Sequence, residues 1–234
     1  MRPVQSLRPE KARGEPVWAK QSLRAQEEKT RVSDGGSVHA QRIVAIMSRY
    51  AQMQSSVALA ALAGARSMSA WAHYPRHDLV DATHGTQFYY HSHARVRATA
   101  IEHGHFHVFV RARGRVGFHH VVGISLTDHG LPVELFLTNQ WVTGERWVPT
   151  TDLAPLITRF DCITAGRLAP VAQWITSMVH LYRPEILALH AKRDAWFARP
   201  YARGLPQSER LTDKRHEVIA RKSIRLAERL AASY

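Results

Sequence analysis

The segments Phe88-Tyr89-Tyr90-His91-Ser92-His93 and Glu102-His103-Gly104-His105-Phe106-His107-Val108-Phe109-Val110 decide the fold of this chain. Apolar and polar side chains alternate along both segments, as they do in β-strands whose successive residues point to opposite faces of a sheet. We place strands at about 86–94, 103–112, 117–126 and 132–139. Arg113-Gly114-Arg115 and Asp128-His129-Gly130 supply the turn residues between them. The sequence therefore predicts an antiparallel β-meander of about four strands.

Helical patterns flank these strands on both sides, so the predicted class is α+β. An Ala- and Leu-rich run from Val38 to Trp71 predicts one long helix or two joined helices. The segment His73–Asp78 ends that run, because Pro75 disfavours helical dihedral angles in the residue before it. Further helices are predicted to begin near Leu153, Pro170 and Pro184, with a basic helix after Pro206.

Charge and composition divide the chain into three parts. We predict a flexible basic arm over residues 1–36, a single α+β domain over 37–200, and a basic helix over 201–234 that docks on the domain. The formal net charge of +13 is distributed along the chain, and much of the positive charge lies in the two tails. Basic tails attract nucleic acid, but they are also common as solvated segments, so a nucleic-acid partner is neither predicted nor excluded.

Cysteine and hydropathy indicate the compartment. Cys162 is the only cysteine, which excludes an intramolecular disulfide and a cysteine-based zinc cage. The first residues lack the apolar core of a signal peptide, and the apolar stretch 57–65 is too short to cross a bilayer. We therefore expect a cytoplasmic protein that does not insert into membranes. The oligomeric state stays open.

The alternation predicts one apolar sheet face, which helices cover, and one face rich in histidine. The histidine-rich face is expected to carry Tyr89, His91, His93, His103, His105, His107, His119, Gly123, Ser125 and Glu134. Small residues such as Gly123 and Ser125 leave room above the centre of the sheet. If helices cover this face as well, it becomes a pocket for a small-molecule substrate.

Imidazole is a common ligand for divalent transition metals, and His-x-His on a strand directs both rings to one side of the sheet. The predicted metal ligands are His91, His93, His105 and His107. Zinc or iron is the expected ion, with an open coordination position for metal-assisted chemistry.

Further polar residues of the same strands are predicted to support that chemistry. Glu102, His103 and His119 are the catalytic or supporting candidates, and Glu134 is an alternative source of a carboxylate. Two interpretations without a metal stay open. The imidazoles can serve acid/base or anion-binding chemistry, or they can form a purely structural polar network.

Two known motifs are similar to parts of this face. Gly85, followed after five residues by His91-Ser92-His93, is similar to the opening of the first cupin motif, and cupins hold a metal with histidines and a glutamate in a β-barrel. Here Glu102 lies nine positions beyond His93, farther than in cupins. The run 103–109 resembles the histidine-triad nucleotide hydrolases and transferases, which implies histidines that face a phosphate, one of them as nucleophile.

A third resemblance covers about half of the chain. The stretch from His73 to about Asp194, including Val122-Gly123-Ile124-Ser125 and Thr138-Asn139-Gln140-Trp141-Val142-Thr143-Gly144-Glu145, resembles an uncharacterised bacterial domain family of unknown function. This resemblance implies one domain with helices after the sheet, and it brings no established activity.

The sequence does not name a reaction, so whether the chain is an enzyme stays open. The leading hypothesis is a metal-dependent enzyme with a histidine-lined pocket on one sheet face. The alternatives are histidine-triad-like phosphate or nucleotide chemistry, and a non-catalytic binding module whose basic tails engage an anionic polymer.

Overall fold

The computed structural model describes residues 37–93, 102–111, 117–200 and 206–233, which belong to one compact unit. Their strands form a six-stranded antiparallel sheet in which neighbours in sequence are also neighbours in space. The strands are β1 (Tyr74–Asp81), β2 (Thr86–His91), β3 (Glu102–Val110), β4 (His119–Thr127), β5 (Pro132–Thr138) and β6 (Val218–Ser223). The predicted antiparallel sheet in an α+β protein is confirmed. The predicted arm over residues 1–36 lies outside the described residues.

The predicted number of about four strands is too low because both edge strands were missed. β1 contains Pro75, which cannot donate to a sheet ladder and is tolerated only at edges. β6 contains Ala220, Arg221 and Lys222, residue types that favour helices. Pairing with β5, from Glu134–Ser223 to Thr138–Val218, overrides that local preference.

The helices precede the sheet or follow β5. They are α1 (residues 37–52), α2 (Val57–Ala61), α3 (Gln140–Thr143), α4 (Thr150–Thr158), α5 (Ala169–Leu181), α6 (Arg183–Ala198) and α7 (Leu226–Ala231), with 3-10 turns at Gly166–Leu168 and Gln207–Thr212. None of the described helices is long and apolar enough to cross a membrane.

The structure corrects two helix predictions, one for the run from Val38 to Trp71 and one for the segment after Pro206. The run from Val38 to Trp71 divides into α1 and α2, and Ser56 caps α2 by accepting a hydrogen bond from the backbone N–H of Leu59 at 3.2 Å. The single basic helix predicted after Pro206 is wrong, since that segment forms a 3-10 turn, strand β6 and the short helix α7.

The apolar face of the sheet packs against helices and forms the core. Phe88, Tyr90 and Phe106 from β2 and β3 are fully buried there, and the Phe106 ring lies 5.9 Å from the Trp174 ring of α5. Full burial of one such side chain stabilises the fold by roughly 1.5–3 kcal/mol. The alternation of apolar and polar residues thus positions the opposite face, where the histidines lie.

Two β-bulges decide which side chains reach that opposite face. In β3, Glu102 pairs with Thr127 and Gly104 with Leu126, which leaves His103 as an extra residue. In β4, Val108 pairs with Val122 and Phe109 with His120, which leaves Val121 as an extra residue. Each bulge shifts the alternation by one position along the strand.

Candidate metal centre

Three histidines meet where β2 and β3 pair. His91 and His105 are direct cross-strand partners, and their Nε2 atoms lie 2.6 Å apart. The His93 ring lies 5.2 Å from the His91 ring and 5.1 Å from the His105 ring, centroid to centroid. One ligand atom from each of the three histidines lies within 4.8 Å of the other two. We call His91, His93 and His105 the outer triad.

A carboxylate orients one member of the outer triad. The Nδ1–H of His105 donates to Oε1 of Glu102 at 2.5 Å. With the proton on Nδ1, the Nε2 of His105 presents a lone pair toward His91, the arrangement that carboxylates impose on metal-ligating histidines. Burial raises the pKa of Glu102, but its hydrogen bond and attraction to His105 outweigh burial and leave that pKa below its usual value.

Burial and neighbouring charges keep His91 and His93 of the outer triad neutral, and a neutral imidazole is the form that binds a metal cation. Burial, together with repulsion from His105, lowers the pKa of His91 to about 3. Burial lowers the pKa of His93 as well, again with repulsion from His105. A neutral imidazole has the free lone pair that metal ligation requires, so these two histidines are available as ligands at neutral pH.

The fourth predicted ligand, His107, lies outside the outer triad. Its Nδ1 lies 3.1 Å from Nε2 of His120, and both side chains are almost inaccessible to solvent. Burial lowers the pKa of both histidines well below the usual value. We call His107 and His120 the inner pair, because they bond to each other, while the second ring nitrogen of His120, Nδ1, is buried without a partner among the described residues.

The bulge in β4 corrects the predicted position of His119. Since Val121 is the extra residue, His120 and not His119 lies beside His107. The Nδ1–H of His119 donates instead to the backbone oxygen of Arg146 at 2.6 Å. The His119-His120 doublet was the one sequence signal for His120, since alternation places only one of two successive residues on the histidine-rich face.

The bulge in β3 determines the position of His103. Its Nδ1 lies 2.8 Å from the hydroxyl of Tyr90, and the two rings stack. His103 still lines a pocket beside the outer triad, but it is its neighbour Glu102 that bonds to His105. In a histidine triad, His103, His105 and His107 would be equivalent members. Here the three histidines have different partners, so the structure does not show that geometry.

A pocket of about 730 Å³ adjoins the outer triad. His93 and His105 line one part of it, and Phe136 lies beside them, with its ring 5.2 Å from that of His105. Gly123 makes room for Phe136, because a Cβ atom at this position would overlap the phenyl ring. The predicted hollow above small residues is therefore filled by Phe136, and the pocket opens beside it.

Charged residues from the last two strands line the same pocket. Glu134 on β5, a carboxylate singled out by the sequence, forms a 3.9 Å ion pair with Arg221 of β6. Arg221 and Glu217 were missed because the segment that contains β6 was predicted as a helix. Met68 and Val142 add apolar surface to the pocket from outside the sheet.

Below the inner pair lies a buried polar network that the sequence did not indicate. The carboxylate of Glu145 accepts the backbone N–H of His120 at 2.6 Å, and burial raises the pKa of Glu145 to about 7. The Nε2–H of His190 on α6 donates to the backbone oxygen of the bulged Val121 at 2.8 Å. Arg193, also on α6, is buried and donates to the backbone oxygen of Val148 at 2.6 Å.

Comparisons with known proteins give a family without an assigned activity. A family model described as a domain of unknown function (DUF6969) matches residues 37–224. This match confirms the resemblance to an uncharacterised domain family and extends it on both sides of the stretch His73–Asp194. The bacterial origin stays a prediction. No curated protein and no solved structure matches the chain.

Proposed function

We propose that this chain, which belongs to the family described as a domain of unknown function (DUF6969), binds a divalent transition metal through His91, His93 and His105. The observation that carries the proposal is the convergence of three imidazole ligand atoms within 4.8 Å, one of them oriented by Glu102. Zinc or iron is the ion that three imidazoles suit best among the abundant metals.

An ion held by three protein ligands keeps a coordination position for a further group, which is the usual difference between catalytic and structural zinc sites. The adjoining pocket of about 730 Å³ has the size of a small-molecule site. We therefore propose an enzyme that acts on a small organic substrate, in preference to a metal carrier. When bound, the ion supplies Lewis-acid activation of that substrate.

The residues around the ion have distinct proposed roles. Glu102 fixes the orientation and tautomer of His105 through their hydrogen bond. Phe136 excludes water from one side of the outer triad, and His103 contacts the substrate from the pocket wall. The Glu134–Arg221 ion pair offers both signs of charge to the polar groups of a substrate at another part of the pocket. His119 has no role in this proposal, since its ring bonds to Arg146.

Elemental analysis by mass spectrometry tests the proposal most directly. Untagged protein purified without chelator is compared with the double variant His91→Ala, His105→Ala and with the matched control His107→Leu, which changes a histidine of the inner pair. We expect close to one equivalent of metal in the parent and in the control, and none in the double variant. Equal metal content in the parent and the double variant, or none in the parent even after incubation with zinc or iron, contradicts the proposal.

A further inference from the structure

We infer that Trp71 is a positioning residue of the metal centre, whose indole ring holds His93 where it completes the outer triad. The inference rests on the proposed metal function and extends it to a residue outside the sheet. It follows from the stacking of the Trp71 ring on the His93 ring, with centroids 4.3 Å apart and planes 20° from parallel.

His93 requires such support more than the other two ligands do. The ladder between β2 and β3 ends at the pair His91–His105, and strand β2 itself ends at His91. His93 therefore lies two residues beyond the part of the backbone that the sheet fixes. A metal ligand that is free to rotate and move binds its ion more weakly, because ordering it costs conformational entropy.

Trp71 contacts this short extension of β2 in two ways. Its ring covers the imidazole of His93, and its backbone N–H donates to the backbone oxygen of Ser92 at 2.8 Å. The contacts thus fix both the chain immediately before His93 and the plane of the His93 ring. Together they replace the strand pairing that His93 lacks.

The conformation of Trp71 is difficult to explain by packing alone. Its φ of +67° lies in the left-handed region, which is costly for a bulky side chain. The residue is 62% exposed, so burial of apolar surface offsets little of that cost. Backbone strain that packing does not require is concentrated at functional sites. The contact with His93 supplies the functional reason.

The segment that follows Trp71 also borders the outer triad. His73 stacks on Tyr89 with 3.7 Å between ring centroids, and its edge lies against His91 with centroids 5.6 Å apart. The Nδ1–H of His73 donates to Asp78, which also has a positive φ, at 2.9 Å. The segment from Trp71 to Asp78 therefore contacts two of the three ligands, and Trp71 is the residue that contacts the less anchored one.

Titration of the full chain with Co²⁺, followed by visible absorption, tests the inference in the parent, Trp71→Gly and Trp71→Phe. Glycine adopts a φ of +67° without strain, so the metal-free Trp71→Gly protein is expected to melt at the same temperature as the parent or higher. Its affinity for Co²⁺ is nevertheless expected to fall about 10- to 100-fold, the usual cost of losing an outer-shell partner. The absorption band is expected to change because His93 no longer ligates in a fixed position. Trp71→Phe keeps a ring on His93 and is expected to bind within a few-fold of the parent.

The outcomes separate this inference from the proposed function. If Trp71→Gly binds Co²⁺ as tightly as the parent while His105→Ala does not bind, the metal site stands and the positioning role of Trp71 is refuted. That role is refuted as well if Trp71→Phe is as weak as Trp71→Gly, or if Trp71→Gly loses affinity only by melting below the assay temperature. If the parent itself does not bind Co²⁺, the proposed function and the inference both fail.

Discussion

The outer triad and the inner pair contain the same side chain on the same face of one sheet, yet their surroundings differ completely. In the outer triad, imidazole nitrogens converge beside a pocket, and a carboxylate fixes the tautomer of His105. In the inner pair, the nitrogens of His107 and His120 bond to each other, out of reach of solvent. His105 and His107 are only two residues apart and both line the pocket, so the partner of each imidazole, Glu102 in one case and His120 in the other, separates the proposed ligand from the structural residue.

The outer triad and the inner pair also differ in how their imidazole nitrogens are hydrogen-bonded and protonated. With the proton of His105 on Nδ1, the Nε2–H of His91 donates to the Nε2 of His105 at 2.6 Å, and a bound cation would take the place of that proton. In the inner pair, one nitrogen of each ring bonds to the other ring, the Nδ1 of His120 is buried without a partner among the described residues, and the stability of the pair depends on both rings remaining neutral. Changes at the outer triad should therefore affect metal binding, and changes around the inner pair should affect folding.

The largest effect on the free energy of unfolding is expected for Glu145→Gln, a change beside the inner pair. Burial raises the pKa of Glu145 from 4.5 to about 7, so the folded protein keeps a proton that the unfolded chain releases. The stability that this proton contributes is complete below pH 4.5 and is lost as the pH rises through 7. The full decrease in the free energy of unfolding is roughly 3 kcal/mol. The Glu145→Gln variant should not show this decrease, because glutamine cannot ionise.

Urea unfolding in the presence of chelator, at pH 5 and at pH 8, measures this difference. Between these two values the free energy of unfolding of the parent should fall by roughly 2–3 kcal/mol relative to the variant. The metal content of Glu145→Gln serves as the control and should equal that of the parent, because Glu145 contacts His120 and not the outer triad. Identical pH dependence of the two proteins would mean that Glu145 is ionised in the fold.

The next effect concerns the mutual hydrogen bond of the inner pair. His107→Leu leaves the Nε2 of His120 buried without its partner, which should lower the free energy of unfolding by roughly 1–3 kcal/mol. The double variant His107→Leu, His120→Leu removes both polar groups and should recover part of that loss. A double-mutant cycle by chemical denaturation measures the coupling, and simple additivity of the two single losses would show that the pair does not interact.

The smallest effect is expected for Glu102→Gln at the outer triad. The amide oxygen can still accept the proton of His105, but the charge that makes His105 a better ligand is lost. Affinity for zinc should fall about tenfold, equivalent to roughly 1.4 kcal/mol, in a competition titration with a chromophoric chelator. Glu134→Gln is the matched control, since Glu134 lines the pocket and pairs with Arg221. Equal losses in the two variants would attribute the effect to the net charge of the pocket.

Alternation of residue types was sufficient to predict the four central strands and most of their faces, but not the edge strands β1 and β6. Phe88 and Tyr90 are buried on the apolar face, and His91 and His105 lie side by side on the other, because side chains of a regular strand alternate strictly. The antiparallel pairing of β4 with β5 follows from the predicted turn at Asp128-His129-Gly130, while the predicted turn at Arg113-Gly114-Arg115 lies outside the described residues. The metal hypothesis came from the same rule, since two His-x-His pairs on adjacent strands direct their rings to one side.

The bulges explain most of what could not be predicted. A bulge inserts one residue into one strand, and nothing in an alternating pattern marks where that happens. The extra residue Val121 therefore places His120 and not His119 beside His107, whereas Glu102, which the sequence had singled out, reaches His105 next to the bulge at His103. Trp71 left no pattern at all, because its proposed role depends on a left-handed φ and on a contact between two segments that lie just outside the regular strands β1 and β2.

β6 enters the sheet only after the chain has passed through four helices beyond β5. During synthesis, the strands that carry the outer triad leave the ribosome well before Arg221, which completes the pocket wall from β6. Because a domain generally folds as a unit, we expect the outer triad and the pocket wall to form together, only after β6 has left the ribosome.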